Sequence, residues 1–175
     1  QKQQFEERLV NGKNIRKIIE IGLNGGHSAE VFFNNCPELE LFVSFDLNRY
    51  PYTACAVEYF YNKYSNRFLF KPGDSIKTIP DFINNYPYYQ FDLIFVDGCH
   101  AYEWALSDIT NARRLAHKDS ILWVDDVPED FSGPVGQAVL ECERQGLIQI
   151  IGVNKSDHPT QFSRSWLEAK FLFSE

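Results

Sequence analysis

The chain has 175 residues, 44% of them hydrophobic and 23% charged, which suits one globular domain with a sizeable core and argues against disorder. Its formal charge of −7, with no basic cluster, argues against a phosphate-backbone partner such as nucleic acid. The four cysteines, Cys36, Cys55, Cys99 and Cys142, are scattered without a C-x-x-C pair, so reduced thiols and a cytoplasmic location are expected. No apolar run reaches the length of a membrane span, and no basic-then-apolar signal pattern opens the chain. Membrane attachment is therefore not expected. An opening on Gln1 rather than methionine is compatible with a trimmed chain or an excised piece of something longer, in which case any extra lid or cap domain would fall outside it.

In chain order, residues 1–14 read as an N-terminal helical segment, with Phe5 and Leu9 at helical spacing on the domain edge and Asn11-Gly12 ending it. Ile18, Ile19 and Ile21 form a short β-branched run that enters a glycine turn, and a helical pattern starts at Ser28. Leu41 to Asp46 is a second strand closing on an acid, after which Ala54, Val57 and Tyr61 mark a helix face. Arg67 to Lys71 is a third strand, followed by the turn Pro72-Gly73-Asp74-Ser75. Ile76, Ile79 and Ile83 keep helical spacing, with a helix expected to restart at Pro80. Phe91 to Asp97 is the fourth strand, and Tyr102, Leu106 and Ile109 lie on the next helix. Ser120 to Asp126 is the fifth, and Val135, Ala138, Val139 and Cys142 define a helix that Gly146 can cap. Leu147 to Val153 and Trp166 to Phe173 are the last two strands. Alternating strands and helices predict a doubly wound, mostly parallel sheet that binds ligands at the carboxyl ends of its strands. The last two strands have no helical pattern between them and should pair antiparallel.

The glycine turn ends at a helix N-terminus, whose free N–H groups and dipole favour an anionic or carboxylate-bearing ligand. From Gly22 the dinucleotide spacing fails, because Asn24 and His27 stand where glycines are required, and the Gly-Lys-Ser/Thr ending of a P-loop is missing too. What remains is an acid two residues ahead of the first glycine, Glu20-Ile21-Gly22-x-x-Gly25-Gly26. Glu20, Asp46, Asp97 and the pair Asp125-Asp126 end four of the first five strands, so their carboxylates converge on one crevice. Asp46 stands where an acid accepts hydrogen bonds from both ribose hydroxyls, although a helix N-cap uses Asp as well. An unperturbed histidine titrates at about 6.5, so His100 suits a general base, but a histidine bonded to Asp97 or Glu103 would be equally at home there. His158 falls in the polar stretch between the last two strands, a place for substrate contacts.

From about Ile15 to Phe173 these residues resemble the class I S-adenosylmethionine-dependent methyltransferases, whose first motif is an acid followed by a glycine-rich turn. The resemblance implies a Rossmann-like sheet of seven strands, the last inserted antiparallel beside the fifth, and a cofactor-binding domain over residues 15–175. It implies S-adenosylmethionine held by Glu20, Gly22, Asn24, Gly26, Ser28, Asp46, Asp74, Ser75 and Asp97. Glu20 would order the glycine loop, Ser28 and nearby amides would take the methionine carboxylate, and Asp74-Ser75 would meet the adenine.

The run Asp97-Gly98-Cys99-His100-Ala101-Tyr102-Glu103 is similar to a subfamily with an Asp-Gly-x-His-x-Tyr-Glu signature. Catechol-type O-methyltransferases hold Mg²⁺ on three acids whose positions Asp97, Asp125 and Asp126 match, so Mg²⁺ or another divalent cation is implied here. They lack the His100 motif, which leaves His100 and Asp97 as catalytic residues with or without a metal. The acceptor would be a small-molecule hydroxyl on a sugar, phenol or natural product, and a homodimer is one option for assembly. A nicotinamide-dependent oxidoreductase and a cofactor-binding module without catalysis are the competing readings.

Overall fold

The computed structural model describes residues 2–10, 14–155 and 165–173. In chain order they form α1 (Lys2–Val10), β1 (Lys17–Ile21), α2 (His27–Asn35), β2 (Leu41–Asp46), α3 (Pro51–Tyr64), β3 (Phe68–Pro72), α4 (Ser75–Asn85), β4 (Phe91–Val96), α5 (Tyr102–Arg113), β5 (Ala116–Asp125), α6 (Gly133–Arg144), β6 (Ile148–Lys155) and β7 (Ser165–Phe171). The seven strands make one sheet in the order β3-β2-β1-β4-β5-β7-β6. β1 to β5 pair in parallel, and β7 lies antiparallel between β5 and β6. This is the doubly wound sheet with an antiparallel final strand that the alternation predicts.

Because side chains alternate along a strand, each strand feeds two cores. Ile19, Ile21, Val43, Phe45, Ile94 and Val96 face α4, α5 and α6, while Ile18, Phe42, Leu93, Phe95 and Trp123 face α1, α2 and α3. The second core is aromatic. Phe33 stacks on Tyr64 with ring centroids 3.7 Å apart, and Trp123 meets Trp166 at 4.8 Å.

Several local expectations need correction. α1 does not lie at the domain edge: Phe5 is buried against Phe32, Phe95, Trp123 and Trp166 over the middle of the sheet. Gln4 fixes the helix further, donating to the Lys155 carbonyl and accepting from the Trp166 indole N–H. The buried face of α3 is Thr53, Ala56, Phe60 and Tyr64, one residue out of phase with the expected set, because Phe60 and Tyr64 reach the aromatic core. α4 does not restart at Pro80 but runs through it. Ile79, Phe82 and Ile83 are buried on both sides of the proline, so packing holds the helix across the missing hydrogen bond. Asn11-Gly12 and His158 lie outside the described residues.

Phe5→Ala removes an aromatic anchor shared by two tryptophans and should lower stability by about 3–5 kcal/mol. Urea unfolding followed by tryptophan fluorescence checks this. An unchanged midpoint would return α1 to the periphery.

Candidate active site

Strand order reverses between β1 and β4, and the crevice at such a switch point is where open α/β sheets bind ligands. Two backbone bonds shape it: Gly22 N–H donates to the Phe45 carbonyl (2.7 Å) and Asp97 N–H to the Ile21 carbonyl (2.8 Å). A Cβ on Gly22 would stand 1.9 Å from the Asp97 carbonyl oxygen, and its φ of +101° also demands glycine. The turn then lifts to Gly26, whose Cβ would meet the Phe60 ring at 2.5 Å.

Asp46 ends β2 and accepts from two backbone N–H groups, Asn24 at 2.9 Å on one oxygen and Asn48 at 2.7 Å on the other. It thereby ties the glycine turn to the β2 tip. Asp74 caps α4 by accepting from Ile76 N–H, and the Trp104 indole N–H donates to the same oxygen at 3.0 Å. Asp46, Asp74, Ser75 and Trp104, with Arg49 and Tyr50, line a cavity of about 280 Å³. A second cavity of about 320 Å³ is lined by Phe5, Gly25, Ser28, Asp97 and Asp125. Gly22, Asn24 and Asp97 border both, so the two halves join into one elongated cleft.

Glu20 does not reach this cleft. It is fully buried, accepting from Ser28 Oγ on one oxygen and from Ser44 Oγ at 2.9 Å on the other. Burial pushes its carboxyl up to about 8, with the two serine hydroxyls opposing and the charges of Asp97 and Asp46 adding to the rise. Ser28 accordingly turns its hydroxyl inward, leaving its backbone amide and the helix start for a ligand. A carboxyl raised from 4.5 to about 8 stays protonated in the fold while it ionises in the unfolded chain. The native state then binds more protons, so stability should fall as pH rises from about 4.5 to 8. Thermal melts of the ligand-free protein at pH 5 and pH 8 should show the fall, and Glu20→Gln should flatten it. An equal slope in that variant would locate the effect elsewhere.

Asp97, His100 and Asp126 place one ligand atom each within 4.8 Å of one another. His100 Nε2 is 3.1 Å from Asp126 Oδ2 and 3.9 Å from Asp97 Oδ1. The adjacent Asp97 carboxylate raises the imidazole above its ordinary 6.5, as do the charges of Asp126 and Asp125; burial opposes them. Asp125 is not part of this trio. It is buried and lines the second cavity, whereas Asp126 leaves the strand with φ +55° and turns to His100. Behind the loop, Ser165 Oγ donates to the Val127 carbonyl at 2.6 Å and pins it to β7. Of the acids expected to converge, Asp46, Asp97, Asp125 and Asp126 are at this rim while Glu20 is buried behind it, and the grouping differs: two aspartates and a histidine.

Trp104, Arg49 and Tyr50 were not anticipated as cleft residues. Trp104 stands off the Tyr102–Leu106–Ile109 stripe of α5, and a large aromatic outside the apolar stripe is the signal that would have found it.

A doubly wound sheet with an antiparallel seventh strand, a glycine turn at the switch point and acids at the strand tips define a class I S-adenosylmethionine-dependent methyltransferase fold. The sequence model of the methyltransferase domain family matches residues 19–127, more than half of the chain, and the chain belongs to that family. Among solved structures it is similar to the O-methyltransferase from Bacillus cereus in complex with SAH. The identity is 17%, the match covers 98% of this chain and 80% of that one, and the TM-score is 0.74. It is similar also to the O-methyltransferase TomG from Streptomyces achromogenes, in complex with SAM and involved in tomaymycin synthesis. There the identity is 17%, coverage 97% and 78%, and the TM-score 0.74. The N-methyltransferase NodS from Bradyrhizobium japonicum WM9 matches at 12% identity, 97% and 93% coverage and TM-score 0.71. At these identities the likeness is one of fold. No curated protein matches the chain. Among the described residues no helix is long and apolar enough to cross a membrane.

Proposed function

We propose that the chain transfers the methyl group of S-adenosylmethionine to an oxygen of a small-molecule acceptor, a sugar, phenol or natural-product hydroxyl, in the cytoplasm. The observation that carries this reading is the placement of Asp97, His100 and Asp126 at the tips of β4 and β5, beside the elongated cleft. In this reading residues 15–175 form the cofactor-binding domain. Asp46 takes the ribose, Asp74 and Ser75 take the adenine, and the amides from Gly22 through Asn24 and Gly26 to Ser28 take the methionine end, with Glu20 holding the loop from behind. Asp97 stands where the two cavities meet, at the reacting methyl. The four free thiols, two buried and two exposed, and the charge of −7 fit a cytoplasmic protein with a small acceptor rather than nucleic acid.

Transfer is an in-line displacement: the acceptor oxygen bonds to the methyl carbon as the carbon–sulfur bond breaks, and its electron pair stays on sulfur. The acceptor proton passes to the free nitrogen of the His100 imidazole, and Asp126 and Asp97, which face Nε2, stabilise the imidazolium. Two carboxylates and an imidazole also form a donor set for a divalent ion, and the single nitrogen ligand suits Mn²⁺ or Zn²⁺ better than Mg²⁺. A bound ion would supply Lewis-acid activation of the acceptor hydroxyl.

Isothermal titration with S-adenosylmethionine, S-adenosylhomocysteine and NAD tests the cofactor. Tight binding of the first two supports the reading, and tighter binding of NAD overturns it. A screen of hydroxylated acceptors with labelled methyl donor then tests the acceptor class, which label appearing only on nitrogen or carbon would overturn.

A further inference from the structure

β5 and β7 run antiparallel, and their ladder closes at the rim with Asp125 opposite Trp166. One step further it would set Asp126 opposite Ser165. Instead it is Val127 that bonds Ser165: its N–H donates to the Ser165 carbonyl at 3.1 Å, while Ser165 Oγ donates to the Val127 carbonyl at 2.6 Å. Asp126 is therefore the extra residue of a bulge. Bulges bend a strand and re-aim a side chain, and they recur beside active sites. The Asp126 backbone is left-handed, at φ +55°, a conformation in which the Cβ of an L-residue crowds its own backbone and which persists only where the surroundings hold it. Two features hold it here. The Val127 side chain is fully buried, and Ser165, itself buried, grips both polar groups of the Val127 backbone. The outcome of the bulge is the aim of one carboxylate, whose Oδ2 stands 3.1 Å from His100 Nε2.

We propose that Ser165 is a positioning residue of the transfer reaction, whose hydroxyl locks the bulge after β5 in the one arrangement that turns the Asp126 carboxylate to His100. The proposal rests on the reading of Asp97, His100 and Asp126 as the group that acts on the acceptor. Peptide units are planar, so the two bonds from Ser165 fix the planes on either side of Val127, and the ladder at Asp125 fixes the chain on the other side of Asp126. Asp126 is thus clamped from both ends. Without the hydroxyl, the Val127 carbonyl loses its partner and the bulge is held by a single N–H. An aspartate so released relaxes toward the commoner right-handed or extended backbone, which swings its carboxylate off the imidazole. The competing explanation is a strand serine that merely satisfies its own buried hydroxyl. Such a serine would affect stability alone, whereas a positioning serine changes the surroundings of His100 and acts through Asp126.

The test compares wild-type protein with Ser165→Ala, Ser165→Cys, Asp126→Asn and the Ser165→Ala/Asp126→Asn double variant, with thermal melts as a folding control. At one fixed pH the His100 imidazole signal, assigned by its loss in His100→Ala, is followed by proton–nitrogen NMR. It should move in Ser165→Ala in the direction it takes in Asp126→Asn, and partway in Ser165→Cys, whose thiol is a weaker donor of similar shape. With an acceptor taken from the hydroxyl screen, Ser165→Ala should lower turnover by roughly tenfold to a hundredfold, the loss that a small misplacement at a reacting centre produces. In the Asp126→Asn background the same change should cost less than about twofold more, because the group it positions is already disabled. Affinity for S-adenosylhomocysteine should hold throughout, since among the described residues lining the cleft neither Asp126 nor Ser165 is found. A folded Ser165→Ala protein with an unmoved imidazole signal overturns the proposal, as does a turnover loss that is undiminished in the Asp126→Asn background. Should Ser165→Ala fail to fold, an unmoved signal in Ser165→Cys overturns it. A signal that moves while turnover holds in both Ser165→Ala and His100→Ala overturns the reading of the trio on which the proposal stands.

Discussion

His100→Ala is expected to lower turnover by roughly 10²–10⁴-fold, the usual contribution of a positioned general base. The imidazole has Asp126 at 3.1 Å and Asp97 at 3.9 Å, and their combined pull makes it a stronger base than a free histidine. A base must be neutral to work. Activity should therefore rise with pH through a point above 6.5 and level off, and the rise should vanish in the variant. Cofactor binding should change little, because His100 is absent from the lining of both halves of the cleft. The same trio can hold a cation, and one further measurement separates the two roles. Turnover that survives excess chelator assigns His100 to proton transfer. Turnover that stops and returns with Mn²⁺ assigns it to the metal, and Asp126→Asn should then cost more than Asp125→Asn. Wild-type rates in both His100→Ala and Asp126→Asn would remove this cluster from the chemistry.

The strands were legible because buried parallel strands read as short β-branched and aromatic runs, and because each of the decisive ones closes on an acid. Asp46, Asp97, Asp125 and Asp126 were thus legible as rim residues, whereas Glu20, one residue short of the tip of β1, is buried behind it. Which carboxylates meet which partners was not legible. Adjacent residues on a strand point to opposite faces, and the left-handed backbone at Asp126 sends its side chain to His100 while Asp125 stays against the second cavity. The partners of Glu20 come from another strand and another helix, so only the register of Glu20 against Ser44 brings them together. α3 shows a further limit: Ala54-Val57-Tyr61 and Thr53-Ala56-Phe60-Tyr64 have similar periodicity, and it is stacking on Phe33 and Phe68 that decides between them. β5 begins four residues before Ser120 because the polar residues His117, Lys118 and Asp119 continue the strand at a shifted register. Charge there hid the strand.

Asp46→Ala should weaken binding of S-adenosylhomocysteine by about 1.5–3 kcal/mol, the loss expected when charge-assisted hydrogen bonds disappear. The carboxylate sits between two asparagines with left-handed backbone, Asn24 at φ +50° and Asn48 at φ +56°, whose N–H groups both point at it. Each oxygen spends one acceptor position on the loop and keeps another for a ligand, so the residue both shapes the cleft and faces into it. Asn24 and Asn48 are exposed, and water can take over their N–H groups when the carboxylate is gone. The melting temperature without ligand should therefore move little, while the stabilisation that saturating ligand confers should shrink with the affinity. Asp46→Asn keeps one acceptor oxygen but no charge and should fall between the two. Isothermal titration of the three proteins gives the order directly. Equal affinity across the series would mean that the ribose does not lie against β2, and the cofactor would have to be placed differently in the cleft.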